Sequence, residues 1–461
     1  MRKRHRFRLL AAAFAAAVVT IGVGSAAVMK ERVATSAACP AGYQPAGTAW
    51  CMSIKHPESL LELETRGRQL DAVRAAPHQR MHPGAFAGAL GQRAAMPGSV
   101  KGSEGTAKPL GRGPLRMDGA DYDSVNGLGL ANLMGRIDSL EFDPQNRRLF
   151  AAKGTGGIWM STDYGDTWRS VGDSLPSQIV GAVAWSAANG GTIVAVSGDP
   201  TYGSGGYTGF GAFYSNDLGR TWRKASGIPD GALGFEIEVD PTNPLEVYAA
   251  TGLGLYRSTD GGKSYANVNL PTGECSGVAG GGHCQLANMV TDVAIRGAGG
   301  VGQNVSPGTV IAAIGWRAGT KRNADGSIQS EHNGLYRSTS GAPNTFVRLN
   351  APGFTPQNRI GRTEFGPTTG ASQDKDFLYA IVQDAVALNG GVDVIDAPDD
   401  LASPVPGGTM LNGVYVSKDF GATWTLMADD NVIAKNPATG TALVGAPGLE
   451  PGVQAWYNLW I

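Results

Sequence analysis

From Gly135 onward two hydrophobic patterns return along the chain in the same order. Segments RIDSLEFDP (136–144), IVGAVAWS (179–186), FEIEVDP (235–241), VTDVAIR (290–296) and IGRTEFGP (360–367) alternate apolar and polar positions, the period of a strand with two unlike faces. Each is followed by a nearly continuous apolar run, RLFAAKG, TIVAVSG, EVYAATG, TVIAAIG or FLYAIVQ, which predicts a strand buried on both faces. A shorter aromatic segment comes third (GGIWM, GAFY, LGLYR, NGLYR, NGVYV), and a hairpin then leads to a fourth strand. The pattern predicts four antiparallel strands per unit, repeated five times.

The hairpin is itself a repeat. It reads STDYGDTW (161–168), SNDLGRTW (215–222), STDGGKSY (258–265), a degraded STSGAPNTF (338–346) and SKDFGATW (417–424). Asp163, Asp217, Asp260 and Asp419 are expected to accept hydrogen bonds from backbone N–H groups of their own turns, a structural and not a catalytic role. Gly165, Gly219, Gly261 or Gly262, and Gly421 supply backbone angles other residues resist. Trp168, Trp222, Tyr265, Phe346 and Trp424 then offer large rings to a neighbouring sheet. Steps of 54 and 43 residues separate the first three aspartates, and steps of 80 and 79 lead through Ser340 to Asp419, so long insertions fall in the later units. Repeats of roughly 40 to 50 residues are blade-sized.

Upstream the pattern changes. A basic stretch, RKRHRFR, precedes an uncharged apolar run from Leu9 to Met29, so residues 1–38 read as an export signal. Small residues at 24–27 favour cleavage, with retention as a signal anchor the alternative. Residues 39–134 form an extension with one amphipathic helical stretch (57–76) and a Gly-, Pro- and Lys-rich linker, leaving 135–461 for the repeats. In an oxidising compartment Cys39 with Cys51 and Cys275 with Cys284 read as two local disulfides, and neither pair has the close spacing of a thiolate metal site. Charge is balanced, 38 basic against 39 acidic side chains, so composition points to neither nucleic acid nor an anionic membrane. The 68 glycines suit a protein of many tight turns.

The Ser-x-Asp-x-Gly-x-Thr-Trp hairpins resemble the BNR or Asp-box repeats of bacterial sialidases, xyloglucan-degrading glycosidases and the sortilin ectodomain. The opening unit, GRIDSLEFDPQNRRLFAAKGTGGIWMSTDYGDTW, is similar to secreted bacterial BNR-repeat, sortilin-like glycosyl hydrolase proteins. This resemblance covers 135–461 and implies an all-β fold, a β-propeller of four-stranded antiparallel blades. Five boxes are visible, and PGVQAWYNLWI (451–461) looks like the entry to another first strand, so the expectation is an incomplete six- to eight-bladed ring truncated at its C-terminus. Completion of the last sheet by part of the N-terminal extension is the alternative.

In the families named, ligands bind at the face opposite the boxes, and the insertions of this chain fall there: 198–211, 315–333, 383–412 and the cysteine-bearing loop. Tyr202, Tyr207, Trp316, Arg317, Trp456 and Tyr457 are the candidate ligand contacts, as sugar-stacking platforms or as residues that pack the loops down. Glycoside hydrolysis needs two facing carboxyl groups, and Asp138, Asp199, Glu236 and Asp292 are the candidates near the channel, with Asp384, Asp393 and Asp396 in the longest loop. Arg136, Arg359 and Arg362 could bind a substrate carboxylate, but Arg136-Ile137 and Arg359-Ile360 lack the following proline usual in sialidases. The xyloglucanase-like aspartate followed by paired glycines is also missing from the first unit. No nucleophile elbow, phosphate loop or histidine pair at metal spacing occurs, so neither cofactor nor metal is expected. Two functions follow as expectations: a secreted glycosyl hydrolase-like propeller acting on or binding extracellular polysaccharide, or a non-catalytic propeller that binds protein, peptide or glycan.

Overall fold

The computed structural model describes residues 136–200, 209–272, 289–302, 304–315, 332–385 and 411–433, with short backbone fragments between Tyr43 and Leu133. Two compact units separate: residues 1–56 with 116–131, and residues 57–115 with 132–461. Among the fragments, β1 (Tyr43–Pro45) pairs with β2 (Cys51–Ser53), and β3 (Leu115–Arg116) with β4 (Asn132–Leu133). The export segment, the helical stretch 57–76 and the C-terminal tail lie outside the described residues. Among those described, no helix is long and apolar enough to cross a membrane.

The second unit holds five four-stranded antiparallel sheets, each built from consecutive strands. Blade 1 comprises β5 (Ser139–Asp143), β6 (Arg148–Lys153), β7 (Gly157–Ser161) and β8 (Arg169–Ser170). Blade 2 comprises β9 (Val180–Ser186), β10 (Thr192–Ser197), β11 (Ala212–Ser215) and β12 (Arg223–Lys224). Blade 3 contains β13 (Gly234–Val239), β14 (Val247–Thr251), β15 (Gly254–Ser258) and β16 (Ala266–Asn267). Blade 4 contains β17 (Val290–Ile295), β18 (Val310–Ile314), β19 (Gly334–Ser338) and β20 (Val347–Arg348). Blade 5 contains β21 (Ile360–Pro367), β22 (Leu378–Asp384), β23 (Leu411–Ser417) and β24 (Thr425–Ala428). The all-β, four-strands-per-unit reading of the sequence is the observed fold.

Neighbouring blades meet along their first strands: β5 lies beside β9, β9 beside β13, β13 beside β17 and β17 beside β21. Small hydroxyl side chains stitch this layer. Ser139 Oγ accepts from Val183 N at 3.3 Å, and Thr291 Oγ1 accepts from Thr363 N at 3.2 Å. At Gly181 two first strands approach closely, since a Cβ there would sit 2.1 Å from the Gly234 carbonyl oxygen of blade 3. Between blades the apolar faces interlock, as where Phe150 of blade 1 stacks on Trp185 of blade 2 at 5.6 Å. Burying such faces from water is the main stabilising term, roughly 25 cal/mol per Å² of apolar surface.

The second strands separate interior from terminal blades. β10, β14 and β18 are buried at every position, as their continuous apolar runs predict. β6 and β22 keep half-buried positions, in β6 at the charged Arg148 and Lys153 as well as at Leu149, and each terminal blade has one face that no described blade covers. Leu140 and Phe142 on β5 are 42% and 41% exposed for the same reason.

Candidate functional site: two families of carboxylates

The hairpins between third and fourth strands place one set of aspartates. Asp163 takes the Thr167 backbone N–H at 2.9 Å and the Thr167 hydroxyl at 2.5 Å, while Ser161 Oγ donates to it at 2.7 Å. Ser161 Oγ in turn accepts from Gly165 N at 2.8 Å. Asp217, Asp260 and Asp419 repeat the arrangement with Thr221, Ser264 and Thr423. The bond from the Thr167 hydroxyl, with the other donors, holds Asp163 down at about 2. Two successive residues of each turn take positive φ: Tyr164 and Gly165, Leu218 and Gly219, Gly261 and Gly262, Phe420 and Gly421. In the fourth hairpin no carboxylate is present, and Ser338 and Thr345 hydroxyls bond each other at 2.6 Å. Trp168 Nε1 donates to the Gly165 carbonyl, Trp424 Nε1 to that of Gly421, and Trp222 Nε1 reaches the Val171 carbonyl of blade 1.

Antiparallel pairing puts the start of each first strand, the end of each second strand and the start of each third strand at the opposite end from these hairpins. Three groups converge there. Arg136, just before β5, donates through Nε to Asp138 Oδ1 and through Nη2 to Asp199 Oδ2, the latter just after β10. Asp138 Oδ2 is buried without a hydrogen-bond partner. Burial pushes the Asp138 carboxyl up to about 6, with the Asp199 charge adding to the rise and Arg136 opposing it. Gly154, in the β6–β7 turn, makes room for all three: a Cβ there would lie 2.4 Å from Arg136 Nη2, 2.5 Å from Asp138 Oδ2 and 2.8 Å from Asp199 Oδ2. On blade 5, Arg359 and Asn412 both donate to Asp384 Oδ2, at 2.7 and 2.9 Å.

A second group lies deeper along the first strands. Glu236, Asp292 and Glu364, from blades 3, 4 and 5, each bring an oxygen within 4.8 Å of the others. Such spacing suits either shared protons or a bridging cation. Glu364 Oε1 accepts from Arg362 Nε at 2.6 Å, and the Arg362 guanidinium lies 5.9 Å from the Phe235 ring of blade 3. Asp292 accepts from Val293 N at 2.6 Å and from Phe365 N of blade 5. Glu236 accepts from Ile237 N at 2.8 Å. Burial, reinforced by the Glu364 charge, pushes Glu236 up to about 8. Burial likewise pushes Glu141 of β5 up to about 8, against a bond from the Trp185 backbone. Asp292 and Glu238 are raised by burial and by neighbouring carboxylates, and Glu364 by burial against the pull of Arg362.

Of the carboxylates singled out in the sequence, the structure brings Asp138 and Asp199 together on Arg136 and places Glu236 with Asp292. Asp384 stands apart from both groups on Arg359 and Asn412. Tyr202, Tyr207, Trp316, Arg317, Trp456, Tyr457, Asp393 and Asp396 lie outside the described residues, as do Cys39, Cys275, Cys284 and the side chain of Cys51. Sequence reasoning passed over Glu141, Glu238 and Glu364. Their signal was the recurring EFDP, EVDP and EFGP at 141–144, 238–241 and 364–367, which sets a glutamate at one register of three first strands.

No protein-family model matches the chain. A xyloglucanase from Paenibacillus sp is 30% identical over 168 residues, covering 32% of this chain and 16% of that protein. The chain thus spans less than a fifth of the curated relative it matches. Among solved structures, a GH74 enzyme of Niastella koreensis is similar at 17% identity and TM-score 0.35, over 65% of this chain and 33% of that one. An ancestral GH74 enzyme is similar at 16% identity and TM-score 0.39, over 68% and 36%. YCF48 bound to D1 peptide is similar at 11% identity and TM-score 0.34, over 64% and 67%. What the chain's own geometry establishes is an all-β series of five propeller-type blades whose first strands gather carboxylates from different blades.

Proposed function

We propose that this chain is an exported, glycosyl hydrolase-like β-propeller directed at extracellular polysaccharide, with Asp138 as proton donor and Asp199 as its partner carboxylate. The observation that carries this reading is the pair of carboxyl groups on Arg136, of which burial raises Asp138. Two carboxyl groups share one guanidinium, yet one of them is held near 6, where it keeps a proton in mildly acidic surroundings. Glycoside cleavage uses such a division, a protonated carboxyl to give a proton to the leaving oxygen and an ionised one to assist water or attack the sugar. The stretch shared with a xyloglucanase supports a carbohydrate substrate.

A second reading, recognition of a glycan without cleavage, is favoured by Gly154. Arg136, Asp138 and Asp199 fill the space in front of this glycine, and the free oxygen of Asp138 is enclosed there. The full chain should be incubated with a panel of polysaccharides including xyloglucan, and released reducing ends measured. Hydrolysis in the wild type, reduced about 10²- to 10⁴-fold in Asp138→Asn, is the expected result. Retention of a glycan on an array with no release of reducing ends from any polymer would establish the second reading instead.

A further inference from the structure

The first-strand layer carries more carboxyl groups than its cations can balance. Glu236 and Glu238 lie two residues apart on one face of β13. Facing Glu236 from β5 is Glu141, from β17 Asp292, and from β21 Glu364 with Arg362. Neighbouring β9 and β10 contribute no titratable side chain, and the Tyr248 hydroxyl of β14 is turned to Glu246 at 3.1 Å. Arg362 is therefore the cation of this group, and it is spent on Glu364. Arg136 is spent on Asp138 and Asp199. Glu236, Asp292 and Glu364 thus meet around one guanidinium, with Asp292 and Glu364 buried and Glu236 half-buried.

Like charges at such separations cannot all persist at low effective dielectric, so protons must remain or a cation must enter. Protons are the simpler solution: a protonated carboxyl carries no charge to repel its neighbours and can donate a hydrogen bond where an ionised one only accepts.

We propose that protons shared among Glu236, Asp292 and Glu364 lock blades 3, 4 and 5 together along their first strands, and that alkali releases this lock. The lock joins three successive blades, since Glu236, Asp292 and Glu364 belong to β13, β17 and β21. The sign follows from linkage. The folded chain holds these protons more tightly than the unfolded chain does, so the stabilisation is complete below the ordinary carboxyl range and is lost as pH rises through about 8, the value for Glu236. An exported propeller built this way is firmest in acidic surroundings and loosens above neutrality.

The test is thermal unfolding of the full chain by circular dichroism between pH 5 and 9, for the wild type, Glu236→Gln, and Glu236→Gln with Asp292→Asn. The wild-type Tm should fall by about 5 °C or more from pH 6 to 9, and the double variant should lose at least half of that fall. An equal fall in all three proteins, or a wild-type Tm that rises with pH, would overturn the proposal. So would a calcium-dependent rise in Tm at pH 7 that the double variant lacks, because the cluster would then hold a cation in place of protons. Should the variants fail to fold, the wild type still decides: unfolding by denaturant at pH 7 in weak buffer should release about one proton or more per chain, and no release contradicts the lock.

Discussion

Asp163 and Asp138 are the same residue type in the same blade, yet their surroundings drive them in opposite directions. Asp163 sits in an exposed hairpin surrounded by donors from its own turn, and its carboxyl falls to about 2. Asp138 sits at the other end of the blade, buried beside Asp199, and rises to about 6 although Arg136 touches it. The difference teaches that repetition and reactivity are separate properties. An aspartate saturated by its own backbone closes a turn, and it has no reason to hold a proton near neutrality. The carboxyls suited to acid chemistry or proton sharing are those from different blades, brought together without enough donors.

The comparison breaks most easily at Gly154. A methyl group there would collide with Arg136, Asp138 and Asp199 at once, forcing apart a salt-bridged cluster whose carboxylates are buried. Gly154→Ala should cost about 2 to 3 kcal/mol in urea unfolding, in the range for overpacking a filled space. A loss under about 0.5 kcal/mol, the range of ordinary surface changes, would mean the cluster has room to relax.

A smaller effect is expected at the hairpin end. Asp419→Ala removes the acceptor for Thr423 N and its hydroxyl beside the buried Trp424, a loss of about 1 to 2 kcal/mol. The Asp419 carboxyl is lowered: burial opposes this, but bonds from Thr423 and Ser417 outweigh it. Its contribution is therefore present above the ordinary carboxyl range and lost as pH falls below it, the reverse of the first-strand carboxyls. The penalty should be constant from pH 6 to 9 and shrink toward pH 3. A penalty that grew from pH 6 to 9 would erase the distinction between the two families.

Much of this architecture was legible before any coordinates. Alternation in IVGAVAWS and FEIEVDP and the unbroken runs TIVAVSG and EVYAATG report burial on one or two faces directly, because strand periodicity is local. The hairpin aspartates were equally plain, since donors and acceptor lie within five residues of one another. What stayed hidden depends on closure between blades. Period two gives Glu236 and Glu364 a face, but nothing local says that those faces meet across the layer of first strands. Nothing in the sequence marks Gly154 out from the other glycines, though its absent side chain leaves the room three charged groups occupy. The uncovered faces of β6 and β22 were invisible for a related reason, because an apolar run does not reveal whether a neighbour is present.

Carbon-13 NMR of the full chain labelled at aspartate side-chain carboxyls, titrated from pH 2 to 9 beside Asp138→Asn, tests the division most directly. One resonance should titrate near 6 and be missing from the variant, while those of the hairpin aspartates should titrate below the ordinary carboxyl range. An unchanged spectrum above pH 5 in both proteins would contradict the division, and with it the role given to Asp138.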